Sequence, residues 1–185
     1  VQSHLMRAVQ MERVSPNGYD DFARTLISTP LYSNTTIVSF VPTLFGGSTV
    51  HLMPKFDARA YLQIVQREKI THTMLVPVQY KRIMEVPDFD SFDLSSMRVK
   101  FSTSAPLRGD IKRDVLGRFP GKLIEYYGLT EGGGVTVLVG DENPTKLHTV
   151  GKPAPGNDIR LIDTDGNEVP EGAVGEICGR GPTMM

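Results

Sequence analysis

The chain has 185 residues, of which 39% are hydrophobic and 22% charged, a balance that excludes disordered, collagen-like and coiled-coil chains. Lys+Arg 20 against Asp+Glu 21 give a formal charge of -1, so no global field recruits nucleic acid or an acidic membrane. The one cysteine, Cys178, excludes an internal disulfide framework and a Cys-rich zinc site. The longest apolar stretch, 37–46, is broken by Ser39, Pro42 and Thr43 and is too short for a membrane span.

Residues 2–13 read as a weak helix, and Ser15-Pro16-Asn17-Gly18 as a turn. Residues 24–29 are β-prone and end at Pro30. The largely apolar run 34–44 predicts a buried helix kinked at Pro42, stopped by Gly46-Gly47, with a buried strand over 48–53. Ala58, Tyr61, Leu62 and Val65 follow i, i+3, i+4, i+7 spacing, the mark of an amphipathic helix, with Asp57 as its N-cap. A strand over 71–76 leads into a short helix, and 99–103 reads as another strand. Leu107, Ile111, Val115 and Phe119 form one apolar helical stripe, with Asp110, Lys112, Arg113, Asp114 and Arg118 off it. The next strand is 123–126. This alternation predicts a parallel α/β sheet with right-handed crossovers. Beyond Gly128 the chain turns mainly β: 135–139, 158–162 and 175–178 read as strands, with Asp165-Gly166 marking a hairpin.

Chemistry concentrates at strand-to-helix junctions, where open α/β sheets bind ligands. The segment Tyr126-Tyr127-Gly128-Leu129-Thr130-Glu131-Gly132-Gly133-Gly134 follows a predicted strand. Its glycines permit close backbone approach. Thr130 suits a phosphate oxygen, Glu131 suits Mg2+, and Tyr127 presents a flat face to a ring. The plainer alternative is a glycine-rich loop with a solvated glutamate. Ser102-Thr103-Ser104-Ala105-Pro106-Leu107 is either a flat turn against which a base packs or a helix start capped by Ser104, and the capping rule favours the second. Thr29-Pro30-Leu31-Tyr32-Ser33-Asn34 reads as a helix start capped by Ser33 or Asn34. No nucleophile elbow, dinucleotide fingerprint or P-loop occurs. His4, His51, His72 and His148 are too scattered for a metal motif. Asp163-Thr164-Asp165-Gly166 puts its glycine too early for a calcium loop and reads as a hairpin turn.

In order, these segments resemble the adenylate-forming enzyme family: acyl- and aryl-CoA ligases, firefly luciferases and the adenylation domains of peptide synthetases. Tyr127-Gly128-Leu129-Thr130-Glu131 is similar to its Tyr-Gly-x-Thr-Glu motif, and Ser104-Ala105-Pro106-Leu107 to the small-residue turn one helix earlier. Pro30-Leu31-Tyr32 resembles the segment opening the acid pocket, and Gly151-Lys152-Pro153 and Gly175-Glu176-Ile177-Cys178-Gly179-Arg180-Gly181-Pro182 the β-rich part that follows. The resemblance implies one AMP-binding domain, with an α/β part over 1–139 and a β-rich segment over 140–185. It implies that a carboxylic acid is activated with ATP as an acyl-adenylate and passed to coenzyme A, in the cytoplasm and without nucleic acid.

By the same resemblance Thr130 contacts the α-phosphate, Glu131 holds Mg2+, and Tyr127 lies against the adenine, with Gly128 beside it. Ser104, Ala105 and Pro106 form the opposite wall of the ATP/AMP site, with Glu125 and Tyr126 nearby. Ser33, Ser102, Thr103, Gly132, Gly133 and Gly134 border the acid. Ser33 departs from a common histidine, Glu125 from a common Gln or Asn, and the phosphate loop ending in Pro-Lys-Gly is absent. Val1 and Met185 therefore fall inside the family pattern, the expectation being an internal slice, inactive alone, of a larger ligase. Two other readings stand beside it: a catalytically silent binding module, and a peptide-synthetase adenylation domain. The second would want an aspartate near Tyr32-Ser33-Asn34 for a substrate ammonium, and none is there.

Overall fold

A computed structural model describes residues 4, 8–9, 11–12, 15–131 and 135–181. The α/β part contains β1 (Arg24–Ile27), α1 (Asn34–Phe45), β2 (Thr49–Leu52), α2 (Ala58–Glu68) and β3 (His72–Leu75). It continues with α3 (Pro77–Met84), β4 (Val99–Ser102), α4 (Gly109–Arg118) and β5 (Lys122–Tyr127). Then come β6 (Thr136–Val139), β7 (Lys152–Pro153), β8 (Asp158–Ile162) and β9 (Glu176–Arg180). Of the expected N-terminal helix, His4, Ala8, Val9, Met11 and Glu12 are described, and they are helical.

One sheet has the order β2-β1-β3-β4-β5-β6-β7, and β8 pairs with β9 in a second. β1 to β5 run parallel, while β6 and β7 are antiparallel. The chain steps from β1 to β2, then reverses across β1 to β3. Right-handed crossovers on either side of that reversal put α1 on one face and α2, α3 and α4 on the other. Two separate cores follow. Tyr61, Leu62, Val65, Tyr80, Ile83 and Val115 from the three helices pack with Leu26, Leu75 and Leu123 of the sheet. On the opposite face Tyr19, Met74, Val99, Phe101 and Ile124 pack with Val38 of α1.

Local signals explain most elements. Asp57 caps α2 by accepting from the Ala60 N–H at 2.8 Å, and Tyr61, Leu62 and Val65 are buried as the periodicity requires. Lys69 ends α2 in the left-handed region, φ 51°. Asp165-Gly166 forms the expected turn, Gly166 having φ 84°.

Two elements differ from expectation. Among the described residues the 48–53 run is an edge strand rather than a buried one: β2 pairs with β1 alone there, and Leu52 is 55% exposed. α1 forms around Pro42, but it buries its hydroxyl face instead of its apolar one. Thr36, Ser39 and Thr43 are buried, whereas Leu44 and Phe45 are exposed. The sheet face beneath α1 carries hydroxyls that need partners once dry. Ser39 Oγ meets the Tyr19 hydroxyl at 3.0 Å, and Thr43 Oγ1 donates to Thr25 Oγ1 at 2.8 Å.

Under α1 runs a row of near-parallel rings. Tyr19 stacks on His72 at 4.4 Å and on Phe101 at 6.2 Å, and Phe101 stacks on Tyr126 at 5.8 Å. His72 Nε2 donates to the Asn17 carbonyl at 2.9 Å, so Nδ1 accepts from the Thr71 hydroxyl at 2.7 Å. Burial lowers its pKa below the usual 6.5; the Arg98 charge assists, and the Asn17 bond and Asp20 oppose. Between that lowered value and 6.5 the unfolded chain binds a proton that the folded chain does not. The stabilisation is thus complete above 6.5 and declines as pH falls through the window. Melting followed by circular dichroism from about pH 7 to about pH 5.5 is expected to show a steeper loss for the wild type than for His72→Gln. Equal slopes would remove His72 as the titrating group.

Candidate functional site

The carboxyl ends of β1, β4 and β5 lie along the same edge of the parallel sheet. Three connections open there: 28–33 after β1, 103–108 after β4, and the segment following Tyr127 after β5. The strand order reverses between β1 and β3, and crevices for ligands form at such points.

The first connection is braced from both sides. Gln79 of α3 donates to the Ser28 carbonyl at 3.2 Å, and Thr36 Oγ1 bonds the Pro30 carbonyl at 2.7 Å. Ser33 occupies the N-cap position of α1 without a side-chain cap bond, and Tyr32 is 89% exposed.

In the second connection Ser102 is buried at the strand end, and its Oγ has no hydrogen-bond partner among the described residues. Thr103 is half-buried, and Ser104, Ala105 and Pro106 are exposed. The capping expectation for Ser104 fails. α4 starts at Gly109 with Arg108 as its N-cap, and Ser104 sits in the left-handed region at φ 77°. A non-glycine residue held there stores backbone strain, a feature that clusters at ligand sites. Its Oγ bonds Thr35 Oγ1 at the start of α1, joining the first two connections.

The third segment continues β5. Tyr127 is half-buried, and Gly128, Leu129, Thr130 and Glu131 are exposed. Gly128 approaches Val135 closely, a Cβ there lying 3.2 Å from Val135 Cγ2. Gly132, Gly133 and Gly134 lie outside the described residues. Tyr126 points to the α1 face, where burial raises its phenol to about 12. Glu125 points the other way, into the core beneath α4, and does not face the open edge.

Lys112 is the residue that sequence reasoning missed. Placed off the apolar stripe, it is in fact buried, and its Nζ forms an ion pair with Glu125 Oε2. The signal was Glu125 itself: a carboxylate in a strand covered on both faces demands a cation nearby. Lys100, also in a buried strand, donates to the Phe119 carbonyl at 2.8 Å and to those of Pro120 and Gly121. It thereby binds the carbonyl-rich end of α4, while burial pushes its pKa down to about 7.

One exposed carboxylate in a glycine-rich loop fits Mg2+, which keeps several waters and takes one or two carboxylates besides phosphate oxygens. Among the described residues no cluster of three His, Cys, Asp or Glu side chains forms. None of their helices is long and apolar enough to cross a membrane.

A mostly parallel sheet with the exposed 128–131 segment, a strained small-residue turn and the braced 28–33 connection along one edge makes this an α/β domain. The family model described as "AMP-binding enzyme" matches residues 2–185, and the chain belongs to that family. It is 37% identical over 145 residues to an indoleacetate–CoA ligase of Aromatoleum aromaticum, covering 78% of this chain and 28% of that protein. Its fold matches the amide bond synthetase McbA of Marinactinospora thermotolerans with TM-score 0.86 and 30% identity, over 98% of this chain and 37% of that one. It likewise matches the ATP-bound MatB of Rhodopseudomonas palustris with TM-score 0.85 and 27% identity, over 99% and 36%. The chain thus spans less than two-fifths of the length of each of these relatives.

Proposed function

We propose that this chain supplies the acid- and nucleotide-binding part of an ATP-dependent acid–CoA ligase. The observation that carries the reading is the meeting, at one sheet edge, of Tyr127-Gly128-Leu129-Thr130-Glu131, the Ser104-Ala105-Pro106 turn and the segment before α1. The likeness to an indoleacetate–CoA ligase supports an aryl or acyl acid, with the thiol of coenzyme A as acceptor.

In the first step the acid's carboxylate oxygen bonds to the α-phosphorus of ATP, and pyrophosphate leaves. In the second a thiol attacks the acyl carbon, its proton is lost, and AMP leaves. Catalysis here is chiefly positioning of two anions and stabilisation of charge on phosphorus. Thr130 bonds an α-phosphate oxygen, and the Tyr127 ring and the Ser104-Ala105-Pro106 turn flank the adenine. Ser33, Ser102, Thr103, Gly132 and Gly133 border the acid, the unpartnered Ser102 Oγ offering it a hydrogen bond. Glu131 holds Mg2+, which when bound neutralises charge on the phosphates. Residues 1–139 and 140–185 act as two parts of one domain, and a cytoplasmic location accords with ATP and coenzyme A as substrates.

The test is ATP–pyrophosphate exchange by the intact protein with a panel of aryl and acyl acids. At least one acid is expected to drive exchange, and adding coenzyme A should then yield a thioester. No exchange with any acid would overturn the reading. Exchange followed by transfer to an amine but not to coenzyme A would replace the acceptor alone.

A further inference from the structure

The two walls proposed to hold the adenine ring hang on different elements. The Ser104-Ala105-Pro106 turn follows β4, and Tyr127 ends β5. Below both lies the Lys112–Glu125 pair, whose side chains are 2% and 4% exposed. Glu125 Oε1 accepts from the Leu107 N–H at 3.2 Å, at the end of the turn. Lys112 Nζ donates to the Thr149 carbonyl at 2.8 Å, in the loop leading to β7. That loop is itself pinned to β6: Thr136 Oγ1 donates to the Val150 carbonyl at 2.6 Å, and Gly151, with φ 85°, passes so close that a Cβ would lie 1.9 Å from the Val137 carbonyl oxygen.

Burying two charges is costly, and well-packed apolar side chains of similar volume generally hold a helix on a sheet as well or better. An apolar pair, however, has no atoms for the Leu107 N–H or the Thr149 carbonyl. The ion pair joins α4, the turn after β4 and the 149–151 loop at one point on β5, two residues before Tyr127. We propose that Lys112 and Glu125 are positioning residues that set the separation between the Ser104-Ala105-Pro106 turn and Tyr127, and through it the affinity for the nucleotide. Neither side chain touches the nucleotide. The inference rests on the adenylate-forming reading given above.

Two variants of the intact protein test it. Glu125→Asp keeps the charge but draws the carboxylate back from Leu107, and Lys112→Met/Glu125→Met removes both charges and the acceptor for the Leu107 N–H at similar volume. The readouts are melting by circular dichroism, AMP affinity by calorimetry, and KM values for ATP and acid in the exchange assay. Glu125→Asp is expected to melt within a few degrees of the wild type, yet bind AMP about tenfold more weakly, with KM for ATP rising in step and KM for the acid unchanged. The double variant should show the same split. AMP binding within about twofold of the wild type in a folded variant would overturn the inference, since shifts of the walls are what affinity should sense. So would equal losses of AMP and acid affinity that track the melting temperature, which a purely structural role produces. A wild-type protein that binds no AMP would instead overturn the adenylate-forming reading, and this inference with it.

Discussion

Replacing Glu131 by alanine in the intact protein is expected to slow Mg2+-dependent adenylate formation about 10²–10³-fold, the usual cost of one charge-stabilising group. Glu131 is exposed on the loop after β5, so its removal should cost the fold no more than about 0.5 kcal/mol, the usual range for a surface change. The two effects therefore separate cleanly. The measurement is pyrophosphate exchange over a range of Mg2+ concentrations, beside a thermal melt. A rise in the Mg2+ needed for half-maximal exchange would tie the loss to the metal. Unchanged turnover would remove Glu131 from the site.

Lys112→Met on its own should have the largest effect on stability. It leaves the Glu125 carboxylate buried without its cation, and breaking a buried pair in this way costs about 3–5 kcal/mol. For a domain of about 150–250 residues that corresponds to a fall of about 10 °C in the melting midpoint. Adding Glu125→Gln should recover most of it, because a neutral amide can still accept from the Leu107 N–H and no charge remains buried. Single and double variants compared by urea denaturation check the prediction. A single variant as stable as the wild type would show that the two charges do not interact in the folded protein.

These two residues illustrate what a linear reading reaches. The Tyr-Gly-x-Thr-Glu spacing around Glu131 is legible because it is contiguous, and Glu131 is exposed on the loop after β5. Lys112 lies off the apolar stripe of α4, and helical periodicity reports a face and not what lies opposite it. α1 was misjudged for a related reason. Its apolar composition predicts a buried helix, but Thr25 of β1 and Tyr19 in the segment before it present hydroxyls, and Thr43 and Ser39 answer them. Ser104 has the chemistry of a helix cap, yet the N-cap of α4 is Arg108, four residues later, and Thr35 holds the Ser104 hydroxyl instead.

The sequence by itself determined the element types, their alternation into a parallel sheet, the Asp57 cap and the glycine-loop motif. Each of these depends on residues within a turn or two of one another, where spacing and backbone preference suffice. Only the tertiary structure decided the β2-β1-β3-β4-β5 order, the edge position of β2, the face that α1 buries and the pairing of Lys112 with Glu125. Those depend on groups far apart in the chain. Which distant strand or charge becomes a neighbour is settled by handed crossovers and by the need to satisfy every buried polar group at once.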